Sequence, residues 1–222
     1  MTEADSGSAR ARMVEEQLRR RGIVDERVLR AMAKVPRDRF VDEAQRERAY
    51  EDTPLPIGAG QTISQPWIVA RMLELAALDG GERALDVGAG SGYGTALLCE
   101  LSREVFAVER LGHLAQAAAQ RLRALGYRNV TVGNFDGTWG WREHAPYDAI
   151  VVGAGAPQVP ALLADQLADG GRLVIPVGPR GLQRLTVIRR DGDRFDTEYD
   201  TGCTFVDLVG RFGWGGEGPA QA

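Results

Sequence analysis

The chain has 222 residues, 44% of them hydrophobic, and a formal net charge of −4. This length and composition fit one globular domain with its own core, and the acidic balance argues against a broad basic surface for nucleic acid. We find no apolar targeting segment at the N-terminus and no apolar run long enough to span a membrane. The sequence therefore predicts a cytoplasmic protein with no membrane partner and no nucleic acid partner.

Metal-binding and redox motifs are missing from the sequence. Cys99 and Cys203 are the only cysteines, and neither lies in a C-x-x-C or Cys/His spacing. His113 and His144 are isolated, and an isolated histidine is more often a surface or core residue than a ligand. We therefore expect no metal site, no disulfide and no catalytic histidine.

The N-terminal part of the chain predicts helices and a loop. Residues 1–11 are polar and are expected to be disordered, and residues 12–78 are expected to hold the N-terminal helices and an active-site loop. The predicted elements in this part are helices at Ala11–Arg21 and Asp25–Ala33, separated by Gly22 and with Asp25 as an N-cap, a non-periodic loop at Asp52–Pro66, and a helix at Pro66–Ala77. A non-periodic run of that length is typical of a functional loop.

Residues 79–212 predict an α/β core, and 213–222 a flexible tail. Strands are predicted near Ala84–Val87, Glu104–Val108, Asn129–Val132, Ala149–Val152, Arg172–Val177, Leu185–Arg190 and Cys203–Val209, with helices near Tyr93–Leu101, Leu111–Leu125 and Val159–Leu167. This order predicts a doubly wound, Rossmann-like parallel sheet whose last strands run antiparallel. Its ligand crevice should lie at the C-terminal ends of the first strands.

A glycine-rich turn follows the first core strand. Gly88, Gly90 and Gly92 allow the backbone to approach a ligand closely, and a helical pattern follows them. Glu109 ends the next strand about 20 residues further on, where a carboxylate can accept hydrogen bonds from ribose hydroxyls. Together these features predict a nucleoside cofactor site.

Asp86 indicates which cofactor the turn binds. A dinucleotide site usually reads G-x-G-x-x-G and faces a pyrophosphate, whereas the spacing here is G-x-G-x-G with Asp86 just before it. A carboxylate would repel a pyrophosphate but would attract the ammonium and sulfonium of S-adenosylmethionine (SAM). Methyl transfer is therefore favoured over hydride transfer.

With these elements placed, the chain resembles the protein-L-isoaspartate O-methyltransferases from about Arg12 to Trp214. The motifs that carry the resemblance are Val35-Pro36-Arg37 with Phe40-Val41, the loop from Leu55 to Pro66, the turn from Gly88 to Tyr93, Glu109-Arg110, and Arg172 to Gly178. The Gly-Gln-Thr-Ile-Ser part of the loop is the specific one, since many methyltransferases share the glycine-rich turn.

The resemblance implies SAM-dependent methylation of isoaspartyl carboxylates, with S-adenosyl-L-homocysteine as product and an ester that collapses to a succinimide. It implies that Ser64 lies near the reacting methyl group. By the same resemblance, the cofactor-binding residues are Gln61, Thr62, Ile63, Asp86, Gly88, Gly90, Ser91, Gly92, Glu109, Arg110, Asp136 and Gly137, and the substrate-binding residues are Ile57, Ser64, Phe205, Val206 and Asp207. Glu109 would bind the ribose, and Asp136-Gly137 the adenine.

The chemistry of such a reaction places few demands on side chains. A carboxylate is ionised at neutral pH and is its own nucleophile, so displacement at a sulfonium methyl needs alignment rather than a base. Ser64 can donate the hydrogen bond that aligns the carboxylate. The alternative is that Ser64 caps the helix that begins at Pro66.

Three segments depart from the family pattern and leave alternatives open. Phe135 stands where the family generally has glycine, Gly153-Ala154-Gly155 where it commonly has Thr-Ala-Ala, and Asp207 where it commonly has proline. A dedicated relative would instead methylate a normal aspartate in a ribosomal precursor peptide and leave an aspartimide. A small-molecule or RNA methyltransferase is a further alternative. We expect a monomer.

Overall fold

The structure is a computed structural model, and it describes residues 3–215. Within this range, a seven-stranded sheet lies between two hydrophobic layers. The strands of this sheet are β3 (Arg83–Val87), β4 (Glu104–Val108), β5 (Val130–Gly133), β6 (Tyr147–Val152), β7 (Leu167–Val177), β8 (Gln183–Asp191) and β9 (Arg194–Cys203). Before them, β1 (Leu55–Gly58) and β2 (Gln61–Ile63) pair with each other as a separate antiparallel hairpin. The α-helices are α1 (Glu3–Arg12), α2 (Glu26–Lys34), α3 (Pro66–Ala76), α4 (Tyr93–Leu101), α5 (Gly112–Ala124) and α6 (Ala161–Ala164). No helix in this described range is long and apolar enough to cross a membrane.

The strand order of the large sheet is β5-β4-β3-β6-β7-β8-β9. β3 to β7 are parallel, and β8 and β9 run antiparallel to their neighbours, which confirms the predicted doubly wound sheet with antiparallel C-terminal strands. The chain proceeds to β4 and β5 on one side of β3 and to β6 and β7 on the other. The reversal of strand order opens a crevice at the C-terminal ends of β3 and β6.

Strict alternation of side chains explains how the sheet is buried on both faces. In β6, Ala149 and Val151 face the layer that contains α2, α3 and α4, while Ile150 and Val152 face the layer that contains α6. Because successive side chains of a strand point to opposite faces, apolar residues must occupy nearly every position of a strand covered on both sides. This rigid centre positions the loops at the C-terminal ends of the strands.

The start of the chain differs from the sequence prediction, because residues 3–11 are helical and not disordered. α1 continues through a π-helical turn and a 3-10 turn to Arg21, and Gly22 ends the helical segment at a φ of +91°. Ser6 is buried, and its hydroxyl donates to Asp38 Oδ1 at 3.0 Å and lies 3.1 Å from the Tyr50 hydroxyl. A tertiary contact therefore holds a polar helix that local sequence does not predict.

Two predictions at the other end of the chain are also wrong. The last strand is Arg194–Cys203 rather than Cys203–Val209. The prediction missed β9 because this strand lies exposed at the edge of the sheet and its polar sequence has no buried face. The helix predicted at Val159–Leu167 covers only Ala161–Ala164, and Leu167 already belongs to β7. Residues 216–222 of the predicted tail lie outside the described residues.

We predict that Ser6→Ala lowers the free energy of unfolding by about 1 to 2 kcal/mol, because a buried carboxylate loses one of its donors. Urea denaturation followed by circular dichroism measures this change. Arg12→Ala, on the exposed side of the same helix, is the matched control and should change stability little. Equal unfolding midpoints for Ser6→Ala and the wild type would show that this contact does not hold α1.

Candidate active site

The glycine-rich turn lies at the C-terminal end of β3, next to the β1–β2 hairpin. Gly90 has a φ of +54°, and a Cβ atom built there would lie 3.2 Å from Cδ1 of Ile57 in the hairpin. Gly92 has a φ of +89°, and its Cβ atom would lie 3.2 Å from the Cβ atom of Ala118 in α5. Glycine is thus required at both positions for the backbone conformation and for close packing. The turn, the hairpin and α5 fit together only because these side chains are absent.

Glu109 joins this turn to the end of β4. Its carboxylate is buried, and it accepts hydrogen bonds from Gly90 N at 2.9 Å and from Leu111 N at 2.8 Å, one on each oxygen. A carboxylate has about four acceptor positions, so each oxygen can accept a further bond. The position of Glu109 is therefore fixed by the backbone, and it can still bind hydroxyl groups of a ligand.

Asp86 supplies a second buried carboxylate. It is 4% exposed, and Thr95 Oγ1 donates to its Oδ2 at 2.5 Å. Burial raises the pKa of Asp86 to about 6, the hydrogen bond from Thr95 opposes that rise, and the nearby charge of Glu109 adds to it. The group is mostly ionised at neutral pH, and a cation beside it would stabilise the ionised form.

Two adjoining cavities open at this end of the sheet. They share Thr62, Gly88, Gly90 and Gly153 as lining residues, so they form one continuous cleft. The predicted site residues that line the first cavity are Thr62, Ile63, Ser64, Asp86, Gly88, Gly90, Ser91 and Phe205. Those that line the second are Gln61, Thr62, Gly88, Gly90, Glu109, Arg110, Gly137, Val206 and Asp207. Residues that are distant in sequence are thus brought together.

Ile57, Gly92 and Asp136 are the predicted site residues that do not line either cavity. Ile57 and Gly92 pack against the turn, as described above. The Asp136 carboxylate accepts from Thr138 N at 2.9 Å and Thr138 Oγ1 at 2.7 Å, and its other oxygen accepts from Arg211 N at 2.8 Å. Asp136 therefore holds the C-terminal segment, and the adenine contact remains a prediction that Gly137 is better placed to make.

Ser64 does not cap α3. The N-cap residue of α3 is Gln65, no side chain caps this end of the helix, and Pro66 stands in the first turn. Within residues 3–215, the Ser64 hydroxyl makes no hydrogen bond, and it lies at the wall of the first cavity together with Asp86 and Phe205. The structural alternative is therefore wrong, and the hydroxyl is available to a ligand.

A strap, residues 205–214, contributes Phe205 to the lining of the first cavity and residues 206–209 to that of the second. Gly155 holds it: Gly155 N donates to Val206 O at 2.8 Å, and Gly155 O accepts from Leu208 N at 2.8 Å and from Trp214 Nε1 at 2.9 Å. Sequence reasoning noted Gly155 only as a departure from the family pattern. Its function in the fold is to attach the strap to the end of β6.

Gln183 was missed by the sequence analysis. Its side chain is buried, and its Oε1 accepts from Phe205 N at 3.1 Å, which fixes the start of the strap. A Cβ atom at Gly155 would lie 2.9 Å from Gln183 Nε2, so the glycine makes room for the glutamine. A single buried glutamine in a strand gives no local signal of this contact.

The other two departures have separate structural settings. Gly153 lines both cavities, and a Cβ atom there would lie 3.1 Å from Gly88 O at the cofactor turn. The ring of Phe135 packs edge-on against Trp141 at 5.1 Å between centroids. Gly153 thus widens the cleft, while Phe135 contributes to the core beside it.

Comparisons with known proteins show the family of this chain. A profile of the family described as "Protein-L-isoaspartate(D-aspartate) O-methyltransferase (PCMT)" matches residues 9–213. Protein-L-isoaspartate O-methyltransferases from Syntrophus aciditrophicus and Pelobacter propionicus are 51% and 57% identical to this chain, over 93% and 91% of it and 96% and 91% of their own lengths.

Solved structures are similar as well. A protein-L-isoaspartate O-methyltransferase aligns with a TM-score of 0.84 and 28% identity over 92% of this chain and 67% of its own. A second, from Plasmodium falciparum in complex with S-adenosyl-L-homocysteine, aligns with a TM-score of 0.78 and 30% identity over 90% of this chain and 98% of its own. This chain belongs to the protein-L-isoaspartate (D-aspartate) O-methyltransferase family.

Proposed function

We propose that this protein is an enzyme that transfers a methyl group from SAM to the α-carboxylate of isoaspartyl residues in peptides and proteins. The ester then collapses to a succinimide, which is the repair reaction. The observation that carries the proposal is the placement of two groups in one cavity: the Ser64 hydroxyl, which makes no hydrogen bond within residues 3–215, and the buried Asp86 carboxylate. This cavity adjoins the cavity that Glu109 lines.

The residues of the cleft fit SAM. Asp86 offers a buried negative charge to the ammonium end of the molecule, and the free acceptor positions of Glu109 suit two ribose hydroxyls. Arg110 and Gly137 line the cavity beyond Glu109, on the side where the base would lie. The relative from Plasmodium falciparum, solved with S-adenosyl-L-homocysteine, supports the same cofactor.

When bound, SAM supplies an electrophilic methyl group, and the protein supplies alignment. Ser64 donates a hydrogen bond to one oxygen of the acceptor carboxylate and holds the other oxygen in line with the methyl group. The β1–β2 hairpin, whose Gln61, Thr62 and Ile63 line the cleft, limits the access of water to the methyl group. No proton has to be removed from the nucleophile, because the carboxylate is already ionised.

The comparisons favour isoaspartyl repair over the two alternatives. The bacterial relatives at 51% and 57% identity match over nearly their full lengths, and both are named protein-L-isoaspartate O-methyltransferases. Neither the dedicated precursor-peptide enzyme nor the small-molecule or RNA methyltransferase has comparable support. The departures at Gly155 and Gly153 are accounted for by local packing.

We further propose that the enzyme acts as a monomer in the cytoplasm on peptides and proteins rather than on nucleic acid. The net charge of −4 supports the last point, because binding to a phosphate backbone requires clustered positive charge. Light scattering of the purified protein should give the mass of one 24.1 kDa chain. A mass of two chains would contradict the proposal that the protein is a monomer.

The direct test uses paired synthetic peptides that are identical except for isoaspartate or aspartate at one position. After incubation with SAM, mass spectrometry should detect methyl ester and succinimide only with the isoaspartyl peptide. Methylation of the aspartyl peptide, or of neither peptide, would contradict repair activity.

We predict that Ser64→Ala slows methyl transfer by about 10 to 1000-fold and leaves SAM affinity nearly unchanged, because an orienting hydrogen bond to the acceptor is lost. Single-turnover kinetics and calorimetry measure the two quantities separately. Ser64→Thr, which keeps a hydroxyl, should retain more activity than Ser64→Ala. An unchanged turnover in Ser64→Ala would remove Ser64 from the mechanism.

We predict that Glu109→Ala weakens SAM binding by about 1 to 3 kcal/mol, because ribose hydroxyls lose their acceptor and two backbone amides lose theirs. Calorimetry with SAM gives the affinity. Glu104→Ala is a matched control, since it removes a carboxylate at the opposite end of the same strand. If Glu109→Ala bound SAM as tightly as the wild type, the cofactor would lie elsewhere.

The raised pKa of Asp86, about 6, predicts a pH dependence of SAM binding. Below that pH the group is protonated and loses its attraction for a cation, so SAM affinity should fall as the pH is lowered from 7 to 5, where about one tenth of the groups remain ionised. Calorimetric titration across this range measures the affinity.

Thr95→Val provides the control for this pH dependence. It removes the hydrogen bond that lowers the pKa of Asp86, so the midpoint of the affinity change should move to higher pH. Binding that is equally tight from pH 5 to 7 in the wild type would contradict the placement of Asp86 beside a cationic group.

A further inference from the structure

A cluster of three side chains stands beside the second cavity and has no part in the mechanism above. Arg180, in the turn between β7 and β8, donates from Nε to Asp207 Oδ2 at 2.7 Å, and its guanidinium carbon lies 4.3 Å from the centroid of the Trp214 ring. Trp214 is itself held by its hydrogen bond to Gly155 O. The direction of the Arg180 side chain is thus fixed by an ion pair on one side and a ring on the other.

Most of the hydrogen-bonding capacity of this guanidinium remains unused. Asp207 is the acceptor that Arg180 contacts within residues 3–215, through Nε, and the Arg180 side chain is 62% exposed. The two terminal nitrogens of an arginine form a planar fork that matches the two oxygens of a carboxylate. Because the side chain is already held in place, a carboxylate that binds to it has less side-chain entropy to overcome.

The strap connects the cluster to the proposed acceptor site. Asp207 lines the second cavity, and Phe205, two residues earlier, lines the first cavity together with Ser64. Two residues of chain span at most about 7 Å, so the backbone of Asp207 lies within that distance of the backbone of Phe205. A peptide that is extended at the acceptor site covers the same distance in about two residues.

We propose that Arg180 is a specificity residue, which binds a carboxylate of the substrate within two residues of the isoaspartate. The inference rests on the proposed function, because it needs a bound peptide whose reacting group lies at Ser64. A protein with a net charge of −4 would otherwise repel acidic peptides. Asp207 and Trp214 act as positioning residues that aim the guanidinium.

The experiment compares isoaspartyl peptides that carry Glu, Gln or Lys at each of the two positions on either side of the isoaspartate. These peptides have amidated C-termini. One further set ends in a free carboxylate at the same distance from the isoaspartate, so that recognition of a side-chain carboxylate can be distinguished from recognition of a terminal one. We expect the Glu peptide to exceed the Gln peptide in kcat/KM by about three- to tenfold at one of these positions, mainly through KM.

Arg180→Ala should reduce the ratio of kcat/KM between the Glu and Gln peptides to about one. Arg128→Ala is the matched control: it removes an exposed arginine before β5, at the opposite end of the sheet, and should leave the ratio as in the wild type. Arg180→Lys keeps the charge but loses the fork, so the ratio should fall at least partly.

Three results would overturn the inference: no preference for Glu in the wild type, the same preference in Arg180→Ala, or full retention of it in Arg180→Lys. The methylation rate of the Gln peptide by the wild type reports on the proposed function independently. Methylation of that peptide without a Glu preference would leave isoaspartyl methyl transfer standing and remove Arg180 from substrate recognition.

Discussion

The carboxylate of Glu109 joins the turns that follow two neighbouring parallel strands, and the shape of the cofactor cleft depends on that junction. One oxygen accepts from Gly90 N after β3, and the other from Leu111 N after β4. Parallel strands end at the same edge of a sheet, so a single buried side chain can fix both turns. Glu109, which is proposed to bind the ribose, therefore also holds the two turns in place. Its removal should affect both the contacts to the ribose and the positions of these turns.

The strap that lines the cleft depends on a second junction, at Gly155. Its backbone makes hydrogen bonds to Val206, Leu208 and the Trp214 ring, while Gln183, which occupies the space beside it, holds Phe205. Two of the positions that depart from the family pattern, Gly155 and Asp207, pair directly across this junction as an isolated bridge. These two departures therefore belong to one packed unit. This arrangement explains how the chain can differ from its family at the strap and still keep the strap closed against the sheet.

The elements that could be predicted from sequence are those in which the spacing of apolar residues matches the period of a strand or a helix. β4 and α4 were predicted with the bounds that the structure has, because their apolar residues follow the strand and helix periods. The parts that could not be predicted depend on distant partners: Ser6 of α1 contacts Asp38, and Arg180 contacts Asp207 across 27 positions. β9 was misplaced because an exposed edge strand buries no face and leaves no hydrophobic alternation to detect.

The position of Ser64 is set by the strand before it and the helix after it. Its backbone lies between Ile63, which ends β2 and is 4% exposed, and Pro66, which begins α3 and is also buried. The chain is thus fixed on both sides of a residue whose hydroxyl has no partner in the described part of the protein. Only rotation of the Ser64 side chain remains free, and a bound carboxylate would restrict that rotation. The alignment that the reaction requires can therefore come from the strand and the helix that flank the serine, without any further catalytic side chain.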